Sequence, residues 1–168
     1  KAIGNVVESA GFQLTEIVDE PTAAAAVLGI TDGAVVDVGG GTTGISILED
    51  GKVIYTSDEP TGGTHMTLVL AGFYGCSTEE AETMKRDAAQ EANVFPVVKP
   101  VVEKMAAIVK QSLEKYPVDT VYVVGGACCF TQFEEVFEKY LGTPVVKPAA
   151  PLLVTPLGIA MNCTETGG

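Results

Sequence analysis

Basic residues, histidine and tryptophan are scarce in this chain. Ten Lys and Arg stand against 22 Asp and Glu among 168 residues, which gives a formal net charge of -12, and there is one His and no Trp. A surface that binds nucleic acid needs clustered Lys and Arg that displace counterions from phosphates. Here the basic residues are scattered, so we expect no nucleic-acid partner. A bound nucleotide would have to rely on backbone N–H groups and a metal ion.

Long apolar runs and cysteine pairs of the metal-binding kind are also missing. No run approaches the roughly 20 residues that cross a bilayer, and no signal-peptide pattern opens the chain, so we expect no membrane partner and a cytoplasmic location. The cysteines lack zinc-type spacing, which predicts buried, reduced thiols. His65 has no visible acid or nucleophile partner, and we interpret it as a polar loop residue. The cysteines are Cys76, Cys128, Cys129 and Cys163.

Glycine is abundant instead, and three of the 19 glycines lie together in the most informative stretch of the chain. Residues 34–38 and 44–49 have the apolar pattern of strands, and Gly39-Gly40-Gly41 separates them. A turn without Cβ atoms can present bare N–H groups to phosphate oxygens, and Asp37 beside it would act on phosphate through Mg²⁺. On spacing alone, a tight glycine hairpin without a ligand is equally compatible with the pattern.

The remaining periodicity predicts an α/β domain whose elements run β-β-β-α-α-α-β-α-β-α from residue 34 onward. Three antiparallel strands followed by parallel crossovers are typical of a ribonuclease H-like mixed sheet. The predicted segments are helix 1–10, strand Leu14–Val18, helix 20–29, strands 34–38, 44–49 and 52–57, helices 66–74, 77–91 and 95–115, strand 118–124, helix 132–140, strand 143–146 and a last helix from Thr155-Pro156.

Three further patterns bear on a ligand site. Gly62-Gly63 opens a helix, and helix N-termini can receive anions. Gly125-Gly126 ends a buried strand, and α/β sheets bind ligands at the carboxyl ends of their strands. Glu82, Lys85 and Arg86 share one helix face, a spacing that by itself favours surface ion pairs.

Four motifs in this order resemble the actin-like ATPase superfamily, which contains the DnaK-type chaperones, the bacterial actins and the sugar kinases. Within it the chain is most similar to the chaperone-like proteins of ethanolamine utilisation, through residues 35–43, 79–86 and 121–129. The four motifs are Glu20-Pro21-Thr22-Ala23-Ala24, Asp37-Val38-Gly39-Gly40-Gly41-Thr42, the helix that carries Glu82, Lys85 and Arg86, and Val123-Val124-Gly125-Gly126.

The resemblance implies an actin-like, ribonuclease H-like α/β fold, with a mixed five-stranded sheet and helices on both faces. The chain would form most of one half of a two-domain molecule. Residues 1–30 would be the end of domain I and a hinge helix, residues 31–152 domain II, and residues 153–168 a return hinge helix and tail. We therefore interpret the chain, which begins at Lys1, as a piece of a longer protein or a processed chain.

The resemblance also implies roles toward ATP and Mg²⁺. Glu20 would position the attacking water and Asp37 would lie near Mg²⁺ or its waters, which makes both candidate catalytic residues and Asp37 the candidate metal ligand. The residues implied to hold the nucleotide are Gly39, Gly40, Gly41, Thr42 and Thr43 at the phosphates, and Glu82, Lys85, Arg86, Gly125 and Gly126 at the adenosine.

The implied function is that of a chaperone-like, nucleotide-binding protein that protects or reactivates ethanolamine ammonia-lyase or assists its microcompartment. Other ethanolamine-pathway proteins are alternative partners. Ala89 and Cys129 replace a Ser and an Arg that contact the base in the chaperones, and these departures favour a non-catalytic scaffold. A filament-forming bacterial actin is a further alternative. We expect ATPase activity of a full-length protein only. Exposed apolar surface predicts that the chain self-associates or is only marginally stable.

Overall fold

The computed structural model describes residues 2–13 and 17–161, and from residue 20 onward its helices and strands follow the predicted order. None of the helices in these ranges is both long and apolar enough to cross a bilayer. Short 3₁₀ turns lie at Ala88–Gln90 and Gly126–Cys128. The elements are α1 (Ala2–Ser9), α2 (Glu20–Leu28), β1 (Gly33–Val38), β2 (Thr43–Glu49), β3 (Lys52–Glu59), α3 (Gly63–Tyr74), α4 (Thr78–Arg86), α5 (Glu91–Lys115), β4 (Val121–Val124), α6 (Phe133–Leu141), β5 (Val145–Val146) and α7 (Pro151–Met161).

The five strands form one mixed sheet in the order β3-β2-β1-β4-β5, with β1 at the centre. β1 pairs antiparallel with β2 and parallel with β4, so Asp37 lies between Gly44 on one side and Val124 on the other. β2 pairs antiparallel with β3, and β4 pairs parallel with β5. The predicted mixed five-stranded sheet is confirmed.

Helices cover both faces of the sheet, and β1 contributes to the core on each side. Ala34, Val36 and Val38 belong to the larger core, which α3, α5 and α6 complete, whereas Val35 belongs to the smaller core with α2 and α7. Successive strand residues point to opposite faces. The same alternation directs Asp37 to the α2 and α7 side, at the carboxyl end of the strand.

The helix predicted over residues 77–91 ends at Arg86. The Asp87 carboxylate accepts a hydrogen bond from the N–H of Ala89 at 3.0 Å and caps the short 3₁₀ turn. Asp side chains compete for backbone N–H groups in this way, so they favour caps and turns over helix interiors. The following helix then begins at Glu91, earlier than predicted.

The last helix begins at Pro151, whereas Thr155-Pro156 was the predicted start. Proline is favoured at the first helical position, because the N–H that it lacks has no partner there. As a result, Pro156 lies within the helix and not at its start. The strand predicted over Leu14–Val18 lies partly outside the described residues, and residues 17–19 belong to no strand.

Small residues bring α2 and α7 into close contact on one face of the sheet. Ala23, Ala24 and Ala25 are buried in α2. Gly158 of α7 lies against the carbonyl of Ala23, so closely that an added Cβ would overlap that oxygen. The approach of the two helices therefore requires glycine at this position.

Gly158→Ala is expected to lower the free energy of unfolding by about 1–3 kcal/mol, because the new methyl group overpacks the contact between α2 and α7. Gly72→Ala is the matched control. An added Cβ at Gly72, inside α3, meets nothing within 4 Å, so this change should stabilise the helix by up to about 1 kcal/mol. Urea unfolding of both variants measures the difference, and effects of the same sign would contradict the packing argument.

Candidate functional site

A cleft of about 930 Å³ opens at the carboxyl ends of β1 and β4. Sites for small molecules and cofactors commonly measure about 300–1,000 Å³, so the cleft is large enough for a nucleotide. Nine of the twelve predicted site residues line it, although they come from separate segments of the chain. They are Glu20, Asp37, Gly39, Gly40, Glu82, Lys85, Arg86, Gly125 and Gly126.

Backbone hydrogen bonds hold the glycine loop, residues 39–42, against the start of α3. The N–H of Gly39 donates to the Thr42 carbonyl at 3.0 Å and closes the loop on itself. The N–H groups of Gly63 and Thr64 donate to the carbonyls of Gly39 and Gly40, at 2.9 and 2.8 Å. The anion site expected at this helix start is therefore not formed by these N–H groups, because loop carbonyls accept their hydrogen bonds.

The remaining residues predicted at the phosphates, Gly41, Thr42 and Thr43, are not part of the described lining of the cleft. Thr43 is fully buried, and its Oγ1 donates to the carbonyl of Thr61 at 2.6 Å. This bond ties the strand after the glycine loop to the segment before α3. A phosphate-binding role for these three residues stays a prediction.

Asp37 is a buried carboxylate in the floor of the cleft, with 5% of its surface exposed. Its Oδ2 accepts a hydrogen bond of 2.5 Å from Oγ1 of Thr155. Its Oδ1 lies against Gly125, whose φ of 94° favours glycine and where a Cβ would overlap the carboxylate and the Val38 carbonyl. Burial raises the pKa of Asp37, and the Thr155 hydrogen bond offsets this in part.

Glu20 brings a second carboxylate to the cleft from the first residue of α2. Partial burial raises the pKa of Glu20, and the negative charges of Asp37 and Asp58 raise it further. A carboxyl group with a raised pKa is better suited to exchange a proton with water near neutral pH.

Lys85 joins α4 to the start of α3. Its Nζ donates to the Gly63 carbonyl at 3.0 Å and to Thr67 Oγ1 at 2.8 Å, and lies 2.6 Å from Glu82 Oε2. These three acceptors match the three N–H donors of an ammonium group. Lys85 therefore holds together the helix start to which the glycine loop is bonded.

Glu82 is the acceptor at the centre of this network. It receives hydrogen bonds from Thr67 Oγ1 at 2.5 Å and from Arg86 Nε at 2.7 Å, in addition to Lys85. Burial acts to raise the pKa of Glu82, but the hydrogen bonds from Lys85, Thr67 and Arg86 outweigh it and lower the pKa to about 2. The Arg86 side chain is 77% exposed, so its guanidinium is the more accessible cation of this wall.

Two hydroxyl side chains that complete the site were not predicted from the sequence. Thr155 lies 118 residues from Asp37, and no local pattern connects the two. Thr67 follows Gly63 by four residues, so it lies one turn further along the helix. A polar residue at a buried position of the mostly apolar α3 was the only available signal for Thr67.

The carboxylates of the cleft fit a Mg²⁺ ion that is also bound by the phosphates of a ligand. Within residues 2–13 and 17–161, no three His, Cys, Asp or Glu side chains cluster as a metal site. Mg²⁺ usually binds through one or two carboxylates and completes its shell with waters and substrate phosphates. Asp37 offers such a carboxylate, and Glu20 is near enough for the two charges to interact.

Comparison with known proteins identifies the family. A family model described as type IV pilus assembly protein PilM matches residues 21–156. The chain belongs to this family. It is also similar to the ethanolamine utilization protein EutJ of Salmonella typhimurium (strain LT2), with 46% identity over 157 residues, 93% of this chain and 56% of the relative. The chain thus spans just over half the length of this curated relative.

Solved structures also show the similarity to EutJ and the type of fold. The crystal structure of EutJ from Carboxydothermus hydrogenoformans is 56% identical, with a TM-score of 0.88 over 94% of this chain and 59% of that one. MreB5 of Spiroplasma citri bound to AMPPNP is 18% identical, with a TM-score of 0.81 over 95% of this chain and 62% of that one, and this likeness shows the fold. The predicted actin-like fold and the resemblance to ethanolamine-utilisation proteins are confirmed. The predicted domain boundaries stay predictions.

Lys85→Met is expected to lower the free energy of unfolding by about 1–3 kcal/mol, because it removes a charged donor that three acceptors share. Arg86→Met is the control: it removes one positive charge and one bond to Glu82 from an exposed side chain, and should cost about 1 kcal/mol or less. Urea unfolding at neutral pH compares the two variants. An equal loss from both would show that Lys85 has no special part in joining α3 and α4.

Asp37→Asn is expected to raise the free energy of unfolding at pH 7. Because burial in the folded protein raises the pKa of Asp37 above that of an ordinary aspartate, the ionised form opposes folding. The gain should fall away below about pH 4, where the acid is protonated in both the folded and the unfolded state.

Urea unfolding between pH 7 and pH 3.5 measures this dependence. Asp119→Asn removes the same charge from an exposed position and is expected to show no such gain. A pH-independent effect of Asp37→Asn, or one equal to that of Asp119→Asn, would contradict the assignment.

Proposed function

We propose that the cleft binds a magnesium nucleotide, ATP in the first instance. The chain would then be the nucleotide-binding part of a chaperone-like protein of ethanolamine utilisation. The observation that carries this proposal is the meeting of Asp37 with the glycine turns after β1 and β4, in one cleft at the carboxyl ends of two central strands. The EutJ relatives and the actin-like fold support it.

The residues of the cleft fit such a ligand. Gly39 and Gly40 on one side, and Gly125 and Gly126 on the other, have no Cβ and allow phosphates and a nucleoside to approach the backbone. Arg86 offers a guanidinium group that suits a phosphate or a ribose. When bound, Mg²⁺ would neutralise phosphate charge in a cleft that carboxylates line.

Two carboxylates would do different work. Asp37, whose orientation Thr155 and Gly125 fix, would hold Mg²⁺ or its waters. Glu20 would orient a water molecule and accept its proton, for which a raised pKa is an advantage. Catalysis of this kind rests on positioning and electrostatics. We assign turnover to the full-length protein, because the chain matches just over half the length of the curated relative.

The proposed client is ethanolamine ammonia-lyase or another protein of the ethanolamine pathway or its microcompartment. The protein would protect or reactivate the enzyme, or assist the microcompartment, from a cytoplasmic or microcompartment-associated position. The support is the relatives' association with ethanolamine utilization, which their names state.

A non-catalytic scaffold is the second candidate. All three donors of Lys85 have acceptors within the protein, and the N–H groups of Gly63 and Thr64 donate to the glycine loop. These contacts complete the wall of the cleft without a ligand. They favour a protein that keeps the fold as an interaction module.

Calorimetric titration of Mg-ATP into the chain, and in parallel into full-length Salmonella EutJ, separates the two candidates. We expect binding by the full-length relative, and its loss when Mg²⁺ is chelated. If the chain itself binds Mg-ATP, Asp37→Asn should weaken its affinity for Mg-ATP at least tenfold, whereas Asp119→Asn should leave that affinity unchanged. Binding by neither protein would overturn the nucleotide proposal and leave the scaffold.

The client is tested with inactivated ethanolamine ammonia-lyase. Full-length EutJ with Mg-ATP is expected to associate with the enzyme and to restore part of its activity, whereas EutJ with Mg-ADP restores less. Absence of both association and recovery would remove this client, independently of the outcome of the nucleotide titration.

A further inference from the structure

We propose that His65 is a positioning residue for the glycine loop, that it acts through Gly62, and that only its neutral imidazole can do so. The order of the loop would then depend on pH. The inference on loop order stands on hydrogen bonds within the chain. Its consequence for ligand affinity rests on the proposed function.

The imidazole of His65 caps the start of α3. Gly62 precedes the helix as its N-cap residue, and its N–H donates to Nδ1 of His65 at 3.2 Å. The N–H of His65 donates back to the Gly62 carbonyl at 3.0 Å. A Glu or Gln side chain usually accepts the N-cap N–H from this third helical position. Here the acceptor is an imidazole nitrogen, which must be unprotonated at Nδ1 to accept.

The residue that His65 holds is pressed against the glycine loop. A Cβ at Gly62 would lie 2.6 Å from the Gly40 carbonyl oxygen and 2.8 Å from that of Gly39. The next two N–H groups of the helix donate to the same two oxygens. Because the backbones are in direct contact, a shift of Gly62 must shift the loop.

Protonation of His65 would break the cap. A protonated imidazole carries N–H on both nitrogens, so Nδ1 would meet the Gly62 N–H as a second donor. A cation at a helix N-terminus is also disfavoured by the helix dipole. An experiment between pH 7.5 and 5.5 spans the range in which histidine side chains in general change charge.

The charged groups on the surrounding elements already have roles of their own. At the end of β3, the carboxylate of Glu59 accepts a hydrogen bond from the Ser57 hydroxyl, and Asp58 lies between these two residues in the chain. On α4, Glu82 and Lys85 form an ion pair. The glycine loop has no charged residue, and α3 has no ionisable acid or base besides His65 and Tyr74. Glu20 and Asp37 across the cleft also have raised pKa values, and a control must keep both.

The test compares the wild-type chain with His65→Gln and His65→Ala by amide hydrogen exchange at pH 7.5 and 5.5. Protection factors, corrected for the intrinsic rates, are measured over residues 39–44 and 61–67. Because the chain has one histidine, NMR of the imidazole follows its protonation without ambiguity. Glutamine is the cap acceptor that does not titrate, and both variants retain Glu20 and Asp37.

We expect wild-type protection of both segments to fall roughly fivefold on acidification, in step with the imidazole titration, as for the loss of a helix cap. The two variants should show no such fall, with His65→Gln the better protected. A wild type that does not respond to pH would overturn the proposal. So would an equal fall in either variant, which would trace the effect to Glu20, Asp37 or another group.

A second measurement separates this inference from the proposed function. If Mg-ATP binds, its affinity for the wild type should fall between pH 7.5 and 5.5 by more than its affinity for His65→Gln. If no nucleotide binds, the proposed function fails, and the exchange experiment still decides whether His65 positions the loop.

Discussion

The hydrogen bonds between the start of α3 and the glycine loop are the contact on which the candidate site depends. They join the turn after β1 to a helix that begins some twenty residues later, through backbone atoms alone. Lys85 extends the contact to α4, and His65 caps it from within α3. These hydrogen bonds meet at Gly62 and Gly63, so the glycine loop, the start of α3 and Lys85 form one continuous network.

On the other side of the cleft, the buried carboxylate of Asp37 lowers the stability of the fold. Asp37 lies where burial opposes its charge, and Thr155 and Gly125 hold it there. Thr155 reaches Asp37 because Gly158 allows α7 to lie close to α2. The packing of these two helices and the orientation of the carboxylate are thus linked. A residue that costs stability while it lines a cleft is a common mark of a functional site.

Much of the fold and part of the site could be predicted from local patterns. Apolar alternation indicated β1 and β2, because strand periodicity acts over a few residues. Helix ends were less predictable. Asp87 ends α4 and Pro151 begins α7, although the sequence around each residue is compatible with more than one local structure. The motif resemblance led to nine of the cleft residues. Thr155 was missed and His65 was wrongly interpreted as a loop residue, since neither belongs to a recognised pattern.

The sequence by itself determined the order of the elements, the glycine turns and the acidic character of the chain, because each depends on composition or on neighbours within a few residues. Only the tertiary structure decided which polar groups meet. It assigned the N–H groups of Gly63 and Thr64 to the loop carbonyls, the Lys85 ammonium to three acceptors within the protein, and the Thr155 hydroxyl to Asp37. Hydrogen bonds form over about 3 Å, and distances of that size between residues far apart in the chain exist only after the sheet and helices have packed.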